Sequence, residues 1–241
     1  MTKFRLDQTV VKLGLVTTRS QAESYIRLGK VTVDGKVQQK PGFMVTDEMD
    51  VNLAAGEQYV SRAGMKLASV ADTFGLDFRG KTVLDVGSST GGFTDYALKH
   101  GAAKVFAVEA GTNQLHPSLH GNPKIELHEQ TDIRDFTTDE KIGIVVGDVS
   151  FISLREILPH VATLCTPRTD IVAMVKPQFE ATAANLKHKG VIKNDRVRRD
   201  ILKSFEEWVR GRFVVLDKAD SGVAGEKGNV ERFYHLKTIS N

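Results

Sequence analysis

The sequence predicts an α/β chain: a doubly wound parallel sheet preceded by a small α+β domain. Three observations carry the prediction. Apolar runs at residues 81–86, 105–108, 142–146 and 171–175 alternate with helical segments, the pattern of parallel strands joined by crossover helices. The first run ends in Gly87-Ser-Ser-Thr-Gly-Gly92, a strand-to-helix turn of the kind that opens a ligand crevice. Before position 55 the elements are shorter, and 241 residues leave room for a large domain and a small one.

The N-terminal elements read helix, helix, strand, turn, strand. Leu6, Val10, Val11, Leu13 and Leu15 recur at helical spacing, and Gly14 suits a helix end. Ser20 and Glu23 stand in capping-box spacing ahead of the apolar face Ala22, Tyr25, Ile26 and Leu28. Val31-Thr-Val-Asp34-Gly35-Lys-Val37 reads as a hairpin, because Asp-Gly favours the tight turn between two strands. Val51 and Leu53 make a last short strand. The pattern changes at residues 54–60, so the domains are placed at 1–55 and 63–241, with 56–62 as a linker.

In the second part, residues 61–74 form a helical stretch containing Lys66, and 90–100 a helix after the glycine turn. A third strand falls ahead of Asp132. Residues 213–216 and 232–236 are two strands joined by a glycine-rich loop, read as an antiparallel hairpin at the sheet edge.

Composition sets bounds. Hydrophobic residues make up 41% and charged residues 26%, an ordinary globular mixture. No long uncharged apolar run is present and the first residues lack an apolar signal core, so no membrane span is expected and the cytoplasm is the expected location. One cysteine, Cys165, rules out an internal disulfide and a cysteine-based zinc cluster, and the seven histidines lack metal-ligand spacing, so no metal is expected. Net charge is only +3, but residues 187–212 carry nine Lys/Arg against four acids, and residues 1–55 eight against six. Uneven basic clusters fit an anionic macromolecule, although any one of them reads equally well as a solvated helix face.

The turn at residues 83–93 narrows the ligand. Its spacing is not Gly-x-Gly-x-x-Gly, which argues against a dinucleotide, and no Lys-Ser/Thr follows, which argues against a nucleotide phosphate loop. Asp85 suits the cationic amino group of a methionine moiety. Glu109, ending the second strand, suits both hydroxyls of a ribose. Asp132 suits the amino group of an adenine, or is a plain turn or cap residue. With Gly87, Ser88, Ser89, Thr90, Gly91, Gly92 and Phe93, these residues make a candidate site for S-adenosylmethionine.

Several ordered motifs then carry a family resemblance. Arg5-Leu-Asp7, Ser20-Gln-Ala22, Ile26-Arg-Leu-Gly-Lys30-Val31, Val33-Asp-Gly-Lys36 and Lys40-Pro-Gly42 are similar to the αL RNA-binding module of the small-subunit ribosomal protein S-four. Ser61-Arg-Ala-Gly-Met-Lys66-Leu, the segment from Asp85 to Phe93, Gly147-Asp148-Val-Ser-Phe-Ile-Ser-Leu154, Val175-Lys176-Pro-Gln-Phe-Glu180 and Gly228-Asn-Val-Glu231 resemble an FtsJ-like methyltransferase domain. Over nearly its whole length the chain resembles the TlyA family, proteins with a hemolysin label that methylate ribose 2'-hydroxyls of ribosomal RNA.

The resemblance implies a Rossmann-like class I S-adenosylmethionine methyltransferase domain behind an αL-type RNA-binding domain. It also implies a Lys-Asp-Lys-Glu catalytic set, here Lys66, Asp148, Lys176 and Glu231. The chemistry fits those types. A ribose hydroxyl is a poor nucleophile, and a lysine beside it can stabilise the alkoxide or accept its proton, a role for Lys176. Asp148, also an expected cofactor contact near the methyl donor, would orient Lys176, while Lys66 and Glu231 would position the ribose. Two departures from the family pattern are Ala63, where glycine is usual, and Glu109, where aspartate is commoner.

Arg5, Arg19, Arg27, Lys30 and Lys36 are the expected RNA contacts, with the first four on one face. The expected partner is ribosomal RNA or a ribosomal subunit, contacted at phosphates. Lys187, Lys189, Lys193, Arg196, Arg198 and Arg199 extend the basic surface. A non-catalytic RNA-binding protein would not need all four set residues, and a membrane-lytic protein would need an inserting segment that the sequence lacks.

Overall fold

The computed structural model describes residues 3–54, 59–181, 192, 194–223 and 229–239. Gly56, Glu57 and Gln58 of the expected linker lie outside the described residues, as do Lys187, Lys189, Lys193 and Gly228. The chain divides into two units, Met1–Arg62 and Ala63–Asn241.

In the first unit, β1 (Phe4–Arg5) runs into α1 (Leu6–Lys12), followed by α2 (Arg19–Arg27). Leu6 and Val10 of α1 meet Ala22, Tyr25 and Ile26 of α2 in a small buried core. The helix ends where Gly14 suggests: α1 stops at Lys12, exposed Leu13 is its C-cap, and Gly14 follows in left-handed backbone at φ 69°. The cap of α2 differs from expectation. Thr18 accepts from Gln21 N, and Gln21 Oε1 accepts from Thr18 N at 3.1 Å. Thr18 is extended while Ser20 is already helical, and an N-cap must stand outside the helix. The expected hairpin forms as β2 (Val31–Val33) and β3 (Lys36–Val37), with β5 (Val51–Leu53) on the other side of β2. A further pair, β1 with β4 (Met44–Val45), is too short to leave a sequence signature.

The second unit opens with α3 (Arg62–Ala71) and is organised on a seven-stranded sheet. Its strands are β6 (Thr82–Val86), β7 (Lys104–Val108), β8 (Ile125–His128), β9 (Ile144–Gly147), β10 (Asp170–Val175), β11 (Phe213–Asp220) and β12 (Arg232–Thr238). The order across the sheet is β11-β12-β10-β9-β6-β7-β8. β8, β7, β6, β9 and β10 are parallel, and β12 is antiparallel to both of its neighbours. The chain turns outward in opposite directions from β6 and β9, which makes their carboxyl ends the switch point of the sheet.

The last hairpin forms, but not wholly at the edge. β12 is inserted between β10 and β11, and only β11 is an edge strand. The burial explains the order: Phe233, Tyr234, His235 and Leu236 of β12 are all buried, whereas β11 alternates buried Phe213 with exposed Val214 and Leu216.

One face of the sheet packs Leu84, Val86, Phe106 and Tyr234 against α5 (Leu154–Thr163) and α7 (Asp195–Arg210). Leu202, Phe205 and Val209 supply the buried face of α7 at helical spacing. The other elements needed below are α4 (Gly92–Lys99), which Gly91 and Gly92 open two residues later than the helix expected over 90–100, and the single turn α6 (Pro177–Glu180).

Candidate active site

Four predicted site residues share one structural position. Gly87, Glu109, Asp148 and Lys176 each directly follow the last residue of β6, β7, β9 and β10. The register Val86↔Val108 and Val86↔Gly147 sets Gly87, Glu109 and Asp148 side by side at the switch point. A fifth residue arrives from the other direction. β12 runs antiparallel with Val175↔Arg232, so Glu231 enters the sheet beside the point where Lys176 leaves it.

Two ion pairs result. Lys66, on the buried face of α3, places Nζ 2.7 Å from Glu231 Oε2. Lys176 pairs with Asp148 Oδ1 and donates a hydrogen bond to Ser150 Oγ at 2.8 Å. Burial pushes the Glu231 carboxyl above its usual range; Lys66 pulls it down, Asp148 pushes it up and Lys176 pulls it down again. The four groups therefore act on one another, and the expected Lys-Asp-Lys-Glu set is assembled in space. A pair as buried as Lys66–Glu231 is weak evidence of stabilisation, because desolvation offsets most of the attraction, and such groups mark functional candidates.

Beside the pairs lies a cavity of about 520 Å³, lined by Gly87, Ser89, Glu109, Asp132, Asp148 and Phe151, among others. That volume is within the range of small-molecule sites. Asp85, one residue before the end of β6, is buried and does not line that cavity; Oδ2 accepts from Thr94 Oγ1 at 2.7 Å, and Oδ1 has no hydrogen-bond partner among the described residues. Burial pushes this carboxyl up to about 7 against the Thr94 hydrogen bond, and the charges of Asp148 and Glu109 push the same way. Glu109 receives Ser89 N at 2.9 Å and Gly111 N at 2.7 Å, which fixes the carboxylate and leaves it further acceptor capacity.

The glycine turn contributes less lining than its sequence predicts. Gly87 and Ser89 line the cavity; Thr90 is exposed, and Gly92 is buried at the start of α4. Phe93 is buried with its ring 6.2 Å from that of Phe233, so it is a core residue. Ser88 is buried as well, and its hydroxyl has no hydrogen-bond partner among the described residues. Gly91 adopts φ +83°, and a Cβ there would come within 2.5 Å of Leu119 and 2.7 Å of Leu115. Its lack of a side chain serves internal packing. Gly87, at φ +77°, would set a Cβ 3.0 Å from the Asp148 carbonyl oxygen, so this glycine lets the β6 and β9 ends close together. Asp132 lines the cavity, but its carboxylate caps a short turn through Arg134 N and pairs with Arg134 Nη2 at 2.6 Å. Its hydrogen bonding is therefore that of a cap residue.

The expected basic face of the first unit divides. Arg5 and Arg19 both bind the fully buried Asp7, at 2.9 and 2.8 Å. Burial pushes Asp7 up, and the hydrogen bonds from the two arginines outweigh it and hold the carboxyl below its usual value. Arg27, Lys30 and Lys36 are exposed.

Some residues had no individual sequence signal. Ser150 and Phe151 lie in the quoted segment at 147–154, but nothing in the sequence marks Ser150 as a partner of Lys176. Phe151 is 92% exposed at φ 67°, with its ring 5.2 Å from Phe179. An exposed aromatic held in left-handed backbone is unusual, and strained residues of this kind cluster at functional sites.

This architecture, with the ligand crevice at β6 and β9 and an antiparallel strand inserted before the edge, is that of a Rossmann-like class I methyltransferase. Residues 59–238 match the model of the FtsJ-like methyltransferases, and residues 4–52 match the S4 domain. Hemolysin A of Brachyspira hyodysenteriae is 35% identical over 97% of this chain and 99% of its own length. The 16S/23S rRNA (cytidine-2'-O)-methyltransferase TlyA of Mycobacterium tuberculosis is 35% identical over 98% of this chain and 90% of its own. The solved structure of a hemolysin-named protein from Streptococcus thermophilus superposes with a TM-score of 0.72 at 35% identity, covering 100% of this chain and 90% of that one. The chain belongs to the TlyA family of FtsJ-like methyltransferases, with an S4 domain at its N-terminus. Among the described residues no helix is long and apolar enough to cross a membrane.

Proposed function

We propose that this enzyme transfers a methyl group from S-adenosylmethionine to a ribose 2'-hydroxyl of ribosomal RNA. The observation that carries the reading is the two ion pairs, Lys66–Glu231 and Lys176–Asp148, formed where α3 meets the ends of β9, β10 and β12, with Asp148 also lining a cavity of about 520 Å³.

The residues fit the cofactor. The free Asp85 Oδ1 answers a cationic amino group, and Glu109 has acceptor capacity for a ribose diol. Gly87 and Ser89 of the turn line the crevice, Ser88, Thr90 and Gly91 complete the turn, Gly92 and Phe93 open the helix behind it, and Asp132 borders it. S-adenosylmethionine supplies an electrophilic methyl group on a sulfonium. The chain does the rest. Lys176 donates one hydrogen bond to Ser150 Oγ, and the Asp148 carboxylate beside it holds the ammonium in place by charge. The remaining donors serve the target hydroxyl: Lys176 stabilises the developing alkoxide, and the hydroxyl proton leaves to water. Lys66 and Glu231 hold the ribose so that oxygen and methyl carbon meet in line.

Residues 1–55 form the RNA-binding domain, 56–62 the linker and 63–241 the methyltransferase domain. Arg27, Lys30 and Lys36 contact phosphates, and Arg5 and Arg19 add to the same field while holding Asp7. The substrate is naked ribosomal RNA or a ribosomal subunit, and the enzyme works in the cytoplasm where ribosomes are made.

The test is to incubate purified protein with labelled S-adenosylmethionine and naked rRNA, separate subunits or whole ribosomes, in parallel with Lys176→Ala. Label at a ribose 2'-oxygen that is lost in the variant supports the reading. No label in any RNA, or equal labelling by the variant, overturns it.

A further inference from the structure

We propose that Glu180 is the positioning residue of this site, holding the loop that carries Asp148 in register with Lys176. The proposal rests on the catalytic reading of Lys176 and Asp148 given above.

Glu180 is buried although it is a carboxylate, and it is not part of the four-residue set. It closes the single turn α6, four residues after Lys176. Pro177 and the hydrogen bond from Phe179 N to Lys176 O at 2.9 Å stiffen that turn, so the Glu180 side chain and Lys176 move as one piece. The Glu180 carboxylate reaches across to the other loop. It accepts from Ser153 Oγ at 2.6 Å and from Leu154 N at 2.6 Å, with Arg155 Nε at 3.5 Å. Ser153 and Leu154 begin α5, and the loop between them and β9 holds Asp148, Ser150 and Phe151.

The contacts close a ring. From Lys176 the chain runs through α6 to Glu180, crosses by two short hydrogen bonds to Ser153 and Leu154, and returns through Phe151 and Ser150 to Asp148, which pairs with Lys176. The return path contains the left-handed Phe151, whose ring lies against Phe179 from the α6 side. A loop with strained backbone keeps one conformation only if its surroundings fix it. At this site the fixing group is Glu180.

Capping alone does not account for it. Ser153 already caps α5 by accepting from Arg155 N. Glu180 adds a carboxylate imported from another segment, and burial raises its pKa against the pull of Ser153, Leu154 and Arg155. Such a group costs desolvation, and its return is the fixed separation of the two loops.

The experiment compares Glu180→Ala, Glu180→Asp and Glu180→Gln with wild type in methyl transfer, with Lys176→Ala alongside. Asp keeps the charge but withdraws it by one methylene. Gln keeps the reach and an oxygen that can accept from Leu154 N. The expected result is a kcat lowered about a hundredfold in Ala and about tenfold in Asp, the scale of a misplacement near 1 Å. KM for RNA and the affinity for S-adenosylmethionine stay at the wild-type level, and Gln keeps most of the rate. Val209→Ala, a deletion in the buried face of α7, supplies the stability control, with its melting temperature measured beside those of the Glu180 variants. A folded Asp variant with wild-type kcat overturns the proposal, as does a kcat loss reproduced by Val209→Ala at equal loss of melting temperature. If Lys176→Ala is itself fully active, the catalytic reading fails first. If Lys176→Ala is inactive while Glu180→Ala and Glu180→Asp keep their kcat, only the positioning role fails.

Discussion

Lys66 and Glu231 meet at 2.7 Å, both almost fully buried, although they stand near opposite ends of the second unit in sequence. The pair ties α3 to the first residue before β12. Removing one member strands the other in a dry site, which typically costs about 3–5 kcal/mol. Lys66→Ala is therefore expected to be destabilised as well as inactive. Glu231, already raised by burial, can escape by taking up a proton, so the destabilisation is largest at high pH. The double variant Lys66→Met/Glu231→Leu is expected to recover most of the stability and none of the activity. Urea denaturation at two pH values, beside a methyl-transfer assay, checks this; a double variant as unstable as the single one speaks against it.

The strands that carry this site could be read in the sequence because their physics is local. Fully buried parallel strands need nearly continuous apolar runs, and residues 82–86, 104–108 and 170–175 show them. The insertion of β12 was not legible, since hairpin residues pair the same way at an edge or inside a sheet. The site residues at strand ends followed from the strands and from the family motifs. The roles of Ser150, Phe151 and Glu180 did not follow: each depends on a partner from another loop, and no spacing within one segment reports it. The division of the arginines in the first unit escaped for the same reason, since only the fold shows that Arg5 and Arg19 share Asp7.

Asp85 gives a pH prediction with a definite sign. Its carboxyl rises from the ordinary 3.8 to about 7, chiefly by burial, with Asp148 and Glu109 acting in the same direction and Thr94 against. Between those two values the folded chain holds a proton that the unfolded chain has lost. Stability of the ligand-free protein therefore falls as pH rises from 3.8 towards 7, then levels. Affinity for the cationic amino group should move oppositely, strengthening as Asp85 ionises. Asp85→Asn is expected to flatten both trends. Thermal melts and calorimetric titration with S-adenosylmethionine from pH 5 to 8 test it, and a binding profile in Asp85→Asn identical to wild type would falsify the assignment.

At the other end of β10, Asp170 shows the opposite case. Burial pushes its carboxyl up, but hydrogen bonds from His235 and Lys237 prevail and bring it down to about 2. A depressed carboxyl contributes stability above its ordinary value of 3.8 and loses it as pH falls through about 2. Asp170→Asn should forfeit about 2 kcal/mol at neutral pH, a figure that follows from the size of the shift. Because Asp170 begins β10 and the candidate site lies at its end, kcat should be unchanged. A stability loss that persists undiminished at pH 2, or a fall in kcat, contradicts the prediction.

The arginines and lysines of the first unit separate by what they hold. Arg5 and Arg19 bind a carboxylate that is fully buried, so removing either leaves Asp7 short of a charged donor. Arg19→Ala is expected to lose about 1.5–3 kcal/mol of stability in this unit, the usual worth of a hydrogen bond to a charged group. Arg27, Lys30 and Lys36 are exposed and hold no such partner role in the core. Changing each to Gln should leave the melting temperature unaltered. Each that touches a phosphate should instead lower the dependence of log affinity on log salt by about 0.7–0.9, because one fewer counterion is released on binding. The two measurements sort the residues independently: melts report the Asp7 cluster, and RNA titrations at several salt concentrations report the phosphate contacts. Were Arg27, Lys30 and Lys36 all to leave the salt slope unchanged, the RNA would have to lie on another face of this unit, and any loss of affinity measured in Arg19→Ala would then reflect unfolding around Asp7 alone.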